Sequence, residues 1–399
     1  MKVEDWISQI STERMSDNLW QLVNIPSPTL SEKDAAIYFA QMLKDAGASV
    51  EIDLTIPNSP SIIGRLKGNR KGPTLQLSGH IDHVDIPHAK PKREGNIISG
   101  RGSADMKNGL TGILEIVQIL KDTGCDFPGE ILVTIYGLHE APTGDGAGLS
   151  NLIAKGIKGD AAIVFEGPDN AAAIAANGMA IWNLKISIKE PACHEFSVEP
   201  NRPDLLGIAF SAANELRKKD DELKSAKNPF PLLARESLFI GQMHYGDFYN
   251  RVPNLVYMQG TRRWHPDKTF EQIKKDFDSI LSGVIARSRS GEAISIETNW
   301  IFVGHSYQID ANQKIVKCLV DAHKAVRKAD CPIRGHSSVT DVSRIVRQGN
   351  IPAILCGFGT DTGHCDYEFV EISHIKKCCE VAMHTVFNFL EVALNKGKL

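Results

Sequence analysis

Apolar positions along this chain follow two rhythms, one helical and one of short continuous runs. From Ser16 to about Ala46 the spacing is helical, broken once at Ile25-Pro26-Ser27-Pro28, which reads as a turn. The second of these helices follows Ser31, where Ser31-Glu32-Lys33-Asp34 has the form of a capping box. It buries Ala36, Ile37, Phe39, Ala40 and Leu43, and Gly47 stops it. Val50 to Ile56 and Ser61 to Leu66 read as strands of a meander, and Gly68 to Pro73 turns into a third strand holding Leu75 and Leu77. Further short apolar runs are Ile131 to Gly137, Ala161 to Phe165 and Ala353 to Gly359. Between them, Gly100-Arg101-Gly102-Ser103-Ala104-Asp105-Met106-Lys107-Asn108-Gly109 opens a helix with apolar Leu110, Ile113, Leu114, Val117 and Leu120. Runs apolar on both faces, alternating with helices, predict an α/β fold: a mostly parallel sheet covered by helices on both faces.

Between about Gly178 and Val303 the rhythm changes. Ile181 to Lys189 alternates as a strand, Pro203 to Leu216 is helical, and Leu238 to Gln242 and Leu255 to Trp264 are strands. Thr269 to Ala286 is helical and Ala293 to Trp300 is a strand. That order, β-α-β-β-α-β, is ferredoxin-like. It interrupts the first pattern, which resumes with a helix over Gln313 to Arg327, the last sheet strand and a terminal helix over Ile375 to Leu394. The expected organisation is one domain of residues 1–177 and 304–399, with residues 178–303 inserted into it.

The chemistry sits where the apolar runs end. Leu75-Gln76-Leu77-Ser78-Gly79 runs into His80-Ile81-Asp82, with Gly79 letting the backbone turn. Leu138-His139-Glu140 follows the next strand, Glu166 follows another, and Thr360-Asp361-Thr362-Gly363-His364 follows the last. Asp105 lies near a helix N-terminus, where the helix dipole favours a carboxylate. A single His-x-Asp triplet is usually a solvated loop. Four strand ends carrying acids or histidines, with Asp105, are a poor placement of charge unless cations neutralise them, and ligands of such sheets bind beyond the strands' carboxyl ends.

Composition narrows the setting. The 399 residues are 42% apolar and 23% charged, ordinary for a globular chain with a full core. A net charge of -3 argues against nucleic acid as a main partner. No apolar run approaches the roughly 20 residues of a membrane span, and Met1-Lys2-Val3-Glu4-Asp5-Trp6 has acids where a signal peptide needs an apolar core. The 8 cysteines show no C-x-x-C pair and read as reduced, small buried side chains of a cytoplasmic protein.

Gly79-His80-Ile81-Asp82, Gly100 to Lys107, the acid after the next strand, Glu166-Gly167-Pro168 and the late His364 together resemble the M20 metallopeptidase family. That family includes acetylornithine deacetylase, succinyl-diaminopimelate desuccinylase and glutamate carboxypeptidase. The resemblance spans nearly the whole chain, inserted domain included. It implies two zinc ions per subunit, with Co2+ or Mn2+ as alternatives, bridged by Asp105. His80 and Glu166 would complete one metal and His364 would serve the other, with Asp82 orienting His80. One position departs from the pattern. The family usually has two consecutive glutamates, a general base and then a metal ligand, where this chain has His139-Glu140. In a direct register Glu140 is the ligand and His139 stands at the base position. In a register shifted by one, Glu140 is the base and Ala141 has lost the ligand. The loop Ala141 to Gly146 could allow either, or bring in Asp145. In the inserted domain, His194 resembles the lid histidine that reaches across a homodimer to the substrate carbonyl. Asn250 resembles a substrate-side asparagine, and Arg263 an arginine that grips a substrate carboxylate. The implied activity is zinc-dependent hydrolysis of the amide in an N-acylated amino acid through a metal-bound hydroxide. A dipeptidase or carboxypeptidase is the alternative within the family, acting on a short peptide. A non-hydrolytic metal- or small-molecule-binding descendant is the alternative outside it.

Overall fold

The computed structural model describes residues 2–167, 169–287 and 293–392, so Pro168 and the expected helix end at Leu394 lie outside the described residues. The chain forms two compact units. One comprises Met1–Ala175, Gln308–His336 and Thr340–Leu399, and the other Ala176–Tyr307 with Ser337–Val339.

In the first unit, α1 (Thr12–Val23) and α2 (Lys33–Asp45) flank the proline break. α1 begins before the expected Ser16 because the Ser11 hydroxyl accepts the Arg14 amide at 3.1 Å and caps it. The capping box expected at Ser31 does not form. Glu32 occupies the N-cap without capping, and its carboxylate instead accepts the amide of Leu138 at 3.0 Å. Ile37, expected in the buried face of α2, is exposed, and Ala35 is buried there instead.

The sheet contains β1 (Ser49–Asp53), β2 (Ser61–Lys67) and β3 (Arg70–His80). After α3 (Lys107–Asp122) come β4 (Pro128–Tyr136), α4 (Ala147–Ala154) and β5 (Ala161–Val164). Past the second unit the chain adds α5 (Lys314–Arg327), β6 (Ala353–Leu355) and α6 (Ile372–Leu390). Strand order is β1-β2-β4-β3-β5-β6. β4, β3, β5 and β6 are mutually parallel, and β2 and β1 extend the sheet antiparallel. Every residue of β5 and β6 is buried, as the continuous apolar runs require. Because the parallel strands point the same way, the residues following β3, β4, β5 and β6 emerge along one edge.

α3 is drawn close to this sheet. A Cβ built on Gly109 would stand 2.1 Å from the carbonyl oxygen of Phe165, just past β5, so only glycine permits the approach. At the same helix start the buried Lys107 ammonium donates to the carbonyls of Leu22 at 3.0 Å and Ile25 at 2.8 Å, tying α3 to the end of α1.

The second unit has strands Gly178–Ile188, Ser237–Tyr245, Leu255–Trp264 and Ile294–Gly304, with helices Leu205–Ser225 and Phe270–Arg287. The sheet places them second, third, first, fourth, all antiparallel, which is the ferredoxin-like arrangement. Ala209, Ala212, Leu216 and Phe277 from the helices pack on Trp182, Leu184, Val256 and Met258.

All eight cysteines are unpaired. Five are buried as expected, but Cys365 is exposed and Cys125 and Cys193 are half-buried. Among the described residues no helix is long and apolar enough to cross a membrane.

Gly109→Ala is expected to destabilise the first unit by about 1–3 kcal/mol, because the added methyl meets backbone that has little room to retreat. A urea titration followed by circular dichroism reads this as a lowered midpoint at unchanged slope. An unchanged midpoint would show that α3 can lift from Phe165 without penalty.

Candidate active site

The loop leaving β3 places His80 and Asp82. The His80 ring is fully buried, and its Nδ1 lies 3.0 Å from the Asp82 backbone carbonyl and 3.5 Å from Asp82 Oδ1. A carbonyl can only accept, so Nδ1 carries a proton, and in the neutral ring Nε2 is left with the lone pair. That Nε2 is 3.2 Å from Asp105 Oδ1 and 3.7 Å from Glu166 Oε2, yet among the described residues it makes no hydrogen bond. The Asp82 carboxylate has a second task. Its Oδ2 accepts the amides of His139 and Glu140 and the hydroxyl of Thr29, each at 2.9 Å.

Asp105 is delivered by the glycine-rich loop before α3. Gly100 and Gly102 have φ of +138° and +84°, conformations an L side chain rarely takes. The turn is held from outside by Glu368, whose carboxylate accepts the amides of Ala104 at 2.8 Å and Asp105 at 3.1 Å. Arg101 closes a buried ion pair with the same Glu368 at 2.9 Å. Asp105 then divides its oxygens: Oδ1 faces His80, and Oδ2 is 3.3 Å from His364 Nε2. His364 Nε2 is also 3.1 Å from Glu140 Oε1. His80 and Glu166 thus gather on one side of Asp105, with Glu140 and His364 on the other. One donor atom from each of His80, Asp105 and Glu140 falls within 4.8 Å of the others, and the same holds for His80, His139 and Glu166.

His139 lies against His80, the two rings stacked at 4.0 Å with an interplanar angle of 8°. Its Nδ1 is 2.7 Å from Oδ2 of Asp341, a carboxylate that is itself buried. Asp145 is not part of the cluster. Its carboxylate accepts the Ala147 amide at 2.9 Å, at the start of α4.

Burial and mutual charge set the protonation of the group. Burial opposes a charged His80, but the Asp105 and Asp82 carboxylates hold it well above its ordinary value. Burial likewise opposes His139, and Asp341 lifts it to about 9. His364 is raised to about 10, chiefly by Asp105 and then by Glu140. Burial pushes Glu166 up to about 7. Asp105 stays well below the carboxylate range despite its burial, because His364 and His80 pair with it. Cations held by the same oxygens invert this logic by taking the place of the imidazole protons. The donor set fits divalent metal ions: clustered carboxylates, imidazole Nε2 atoms turned inward, and on His80 a buried nitrogen with no hydrogen bond among the described residues.

The second unit carries the remaining three predicted residues. Cys193–His194 pairs antiparallel with Arg251–Val252, which brings His194 beside Asn250. His194 Nδ1 accepts the Phe196 amide at 3.2 Å, and its Nε2 lies 2.9 Å from the Asn250 side-chain nitrogen. Arg263 lies apart from them and donates to the Ser337 carbonyl at 3.3 Å.

Asp341 and Glu368 are the residues that pattern reasoning missed. Asp341 follows no apolar run, and Glu368 acts on a loop 264 residues before it in sequence. The one available signal was proximity to His364, four positions from Glu368.

Residues 76–388 match Peptidase family M20/M25/M40. The chain is 26% identical over 400 residues to the N-formyl-4-amino-5-aminomethyl-2-methylpyrimidine deformylase of Bacillus subtilis, covering 91% of this chain and 90% of that protein. It is 23% identical over 360 residues to a putative succinyl-diaminopimelate desuccinylase of Mycobacterium tuberculosis, covering 89% of this chain and 92% of the relative. Among solved structures, an M20 family metallo-carboxypeptidase from Sulfolobus solfataricus superposes with a TM-score of 0.77 at 15% identity, over 94% of this chain and 99% of that one. The likeness to that structure is one of fold, whereas the family match covers most of the sequence and both sets of clustered donors: the chain belongs to Peptidase family M20/M25/M40.

Proposed function

We propose that this metal-dependent hydrolase cleaves the amide of an N-acylated amino acid or a closely related acyl-amine. The observation that carries the reading is Asp105 set between His80 at 3.2 Å and His364 at 3.3 Å, with Glu140 3.1 Å from His364. Two relatives named as a deformylase and a putative desuccinylase support removal of an acyl group from an amine.

In this reading His80, Asp105 and Glu166 hold one Zn2+, and Asp105, Glu140 and His364 hold a second, with Co2+ or Mn2+ able to substitute. Such a pair supplies Lewis-acid polarisation of the amide carbonyl and a lowered pKa for water. Asp82 fixes the loop that bears His139 and Glu140. The Glu140 distance to His364 favours the direct register, with Glu140 as ligand and His139 as proton acceptor. His139 then passes the proton to the departing amine. His194 donates an imidazole proton to the carbonyl oxygen, from the partner subunit of a homodimer. Asn250 steadies that histidine, and Arg263 pairs with a substrate carboxylate.

A panel of formyl, acetyl and succinyl amides beside dipeptides tests the activity. Turnover of at least one acyl-amine, abolished by a chelator and restored by zinc, is expected. Turnover of dipeptides alone would replace the deacylase reading by a peptidase one. No turnover of anything would favour a binding protein that has lost catalysis.

The roles of residues 139 and 140 separate in metal content. Glu140→Ala should drop bound metal toward one ion per chain. His139→Ala should keep both ions and lose about 10²–10⁴ in rate, the usual worth of a positioned base. An inactive Glu140→Ala protein holding two ions, beside an active His139→Ala protein, reverses the assignment.

Assembly is tested by complementation. Mixing inactive His194→Ala and Glu140→Ala proteins should restore part of the activity, since one hybrid site receives both intact residues. Subunit exchange without recovery counts against a role across the dimer.

A further inference from the structure

We infer that Asp341 is a positioning residue that locks His139 into the one tautomer able to accept a proton at the active site. The inference rests on the reading of His139 as the proton acceptor and names the group that makes the reading workable.

Both carboxylate oxygens of an ionised Asp341 can only accept, so the 2.7 Å contact fixes the His139 proton on Nδ1. In the neutral ring Nε2 is then the nitrogen with the free lone pair. One ring nitrogen of His139 also lies within 4.8 Å of donor atoms of His80 and Glu166. The ring cannot readily swing away. Its face is stacked on His80, and its backbone amide is held by Asp82.

Asp341 is fixed in turn. It is buried at the N-terminus of the helix Val342–Arg347, and its backbone carbonyl accepts the amides of Arg344 and Ile345. Its other oxygen, Oδ1, faces Arg344 Nη1 at 3.5 Å. Arg344 also donates to the Asp145 carbonyl at 2.8 Å, which links Asp341 to the loop that carries His139. A Cβ on Gly146 would lie 2.0 Å from this guanidinium, so the glycine is what lets the arginine through.

A carboxylate base needs no such partner, because its two oxygens are chemically alike. An imidazole has one nitrogen that donates and one that accepts, and the wrong tautomer aims a proton at the reacting water. With Asp341 in place, Nε2 takes a proton from the attacking water. Nδ1–H remains donated to Asp341, which stays ionised, and the same proton leaves Nε2 for the departing amine.

Asp341→Asn tests this. Arg344 should draw the amide oxygen, leaving the NH2 toward His139 Nδ1 and forcing the ring proton to Nε2. Nitrogen-15 NMR of zinc-loaded protein should show His139 protonated at Nδ1 in the natural chain and at Nε2 in the variant. The rate constant kcat should fall by about 10²–10⁴ with KM and metal content unchanged. A double variant with His139→Ala should be no slower than His139→Ala alone. A natural-chain spectrum with the proton on Nε2 overturns the inference even if the variant does not fold. So does a double variant that loses the product of both single effects. A tautomer that switches while kcat is retained leaves Asp341 positioning His139 but removes His139 from the reaction, and it is the proton-acceptor reading that then fails.

Discussion

One oxygen, Oδ2 of Asp82, holds the active-site edge together. It accepts two consecutive amides from the loop after β4 and a hydroxyl from the turn after α1, while the rest of its residue orients His80. Burying a carboxylate is unfavourable unless its lone pairs are used, and here Oδ2 accepts three hydrogen bonds while Oδ1 faces the His80 ring at 3.5 Å. Burial would raise its pKa, but the neighbouring imidazole of His80 keeps it below the ordinary value, so it remains an acceptor. Loss of this ion would release the positions of His139 and Glu140 together, since both depend on the same atom.

The sheet edge built around Asp82 is rich in negative charge by construction. Parallel strands bring Glu166, Glu140 and the His80 loop to one line, and the glycine-rich loop adds Asp105 from the side. Three histidines raised above their ordinary range answer that charge with protons. Divalent ions answer it better, because each can be shared by several oxygens and imidazole nitrogens at once. Metal uptake therefore displaces protons and stabilises the fold in the same event.

What could be read from sequence was whatever repeats locally. The strand-end rhythm exposed His80, Glu140, Glu166 and His364, because an apolar run and the polar residue after it are adjacent in the chain. The ferredoxin-like order of the second unit was legible for the same reason. Residues whose partners are remote were not. Glu32 has the local form of a cap, but Leu138 claims its carboxylate. Glu368 has no local pattern and gains its meaning from Arg101 and the Asp105 turn. The choice between registers at 139 and 140 is open in the sequence, and only the fold brings Glu140 beside His364.

Asp341 belongs to that second group, and under the role proposed for His139 its chemistry follows from what a histidine becomes when it acts. A glutamate that takes a proton turns neutral beside the metal ions. A histidine that takes one turns cationic there, which divalent ions would oppose. The opposition is offset only if an anion lies on the far side of the ring. Asp341 sits 2.7 Å behind Nδ1, buried, and on the side away from the nitrogen offered to the reaction. The same carboxylate that selects the tautomer before proton transfer thus compensates the charge after it. On the proposed reading, a histidine at position 139 is workable as a base in this fold because residue 341 is an aspartate.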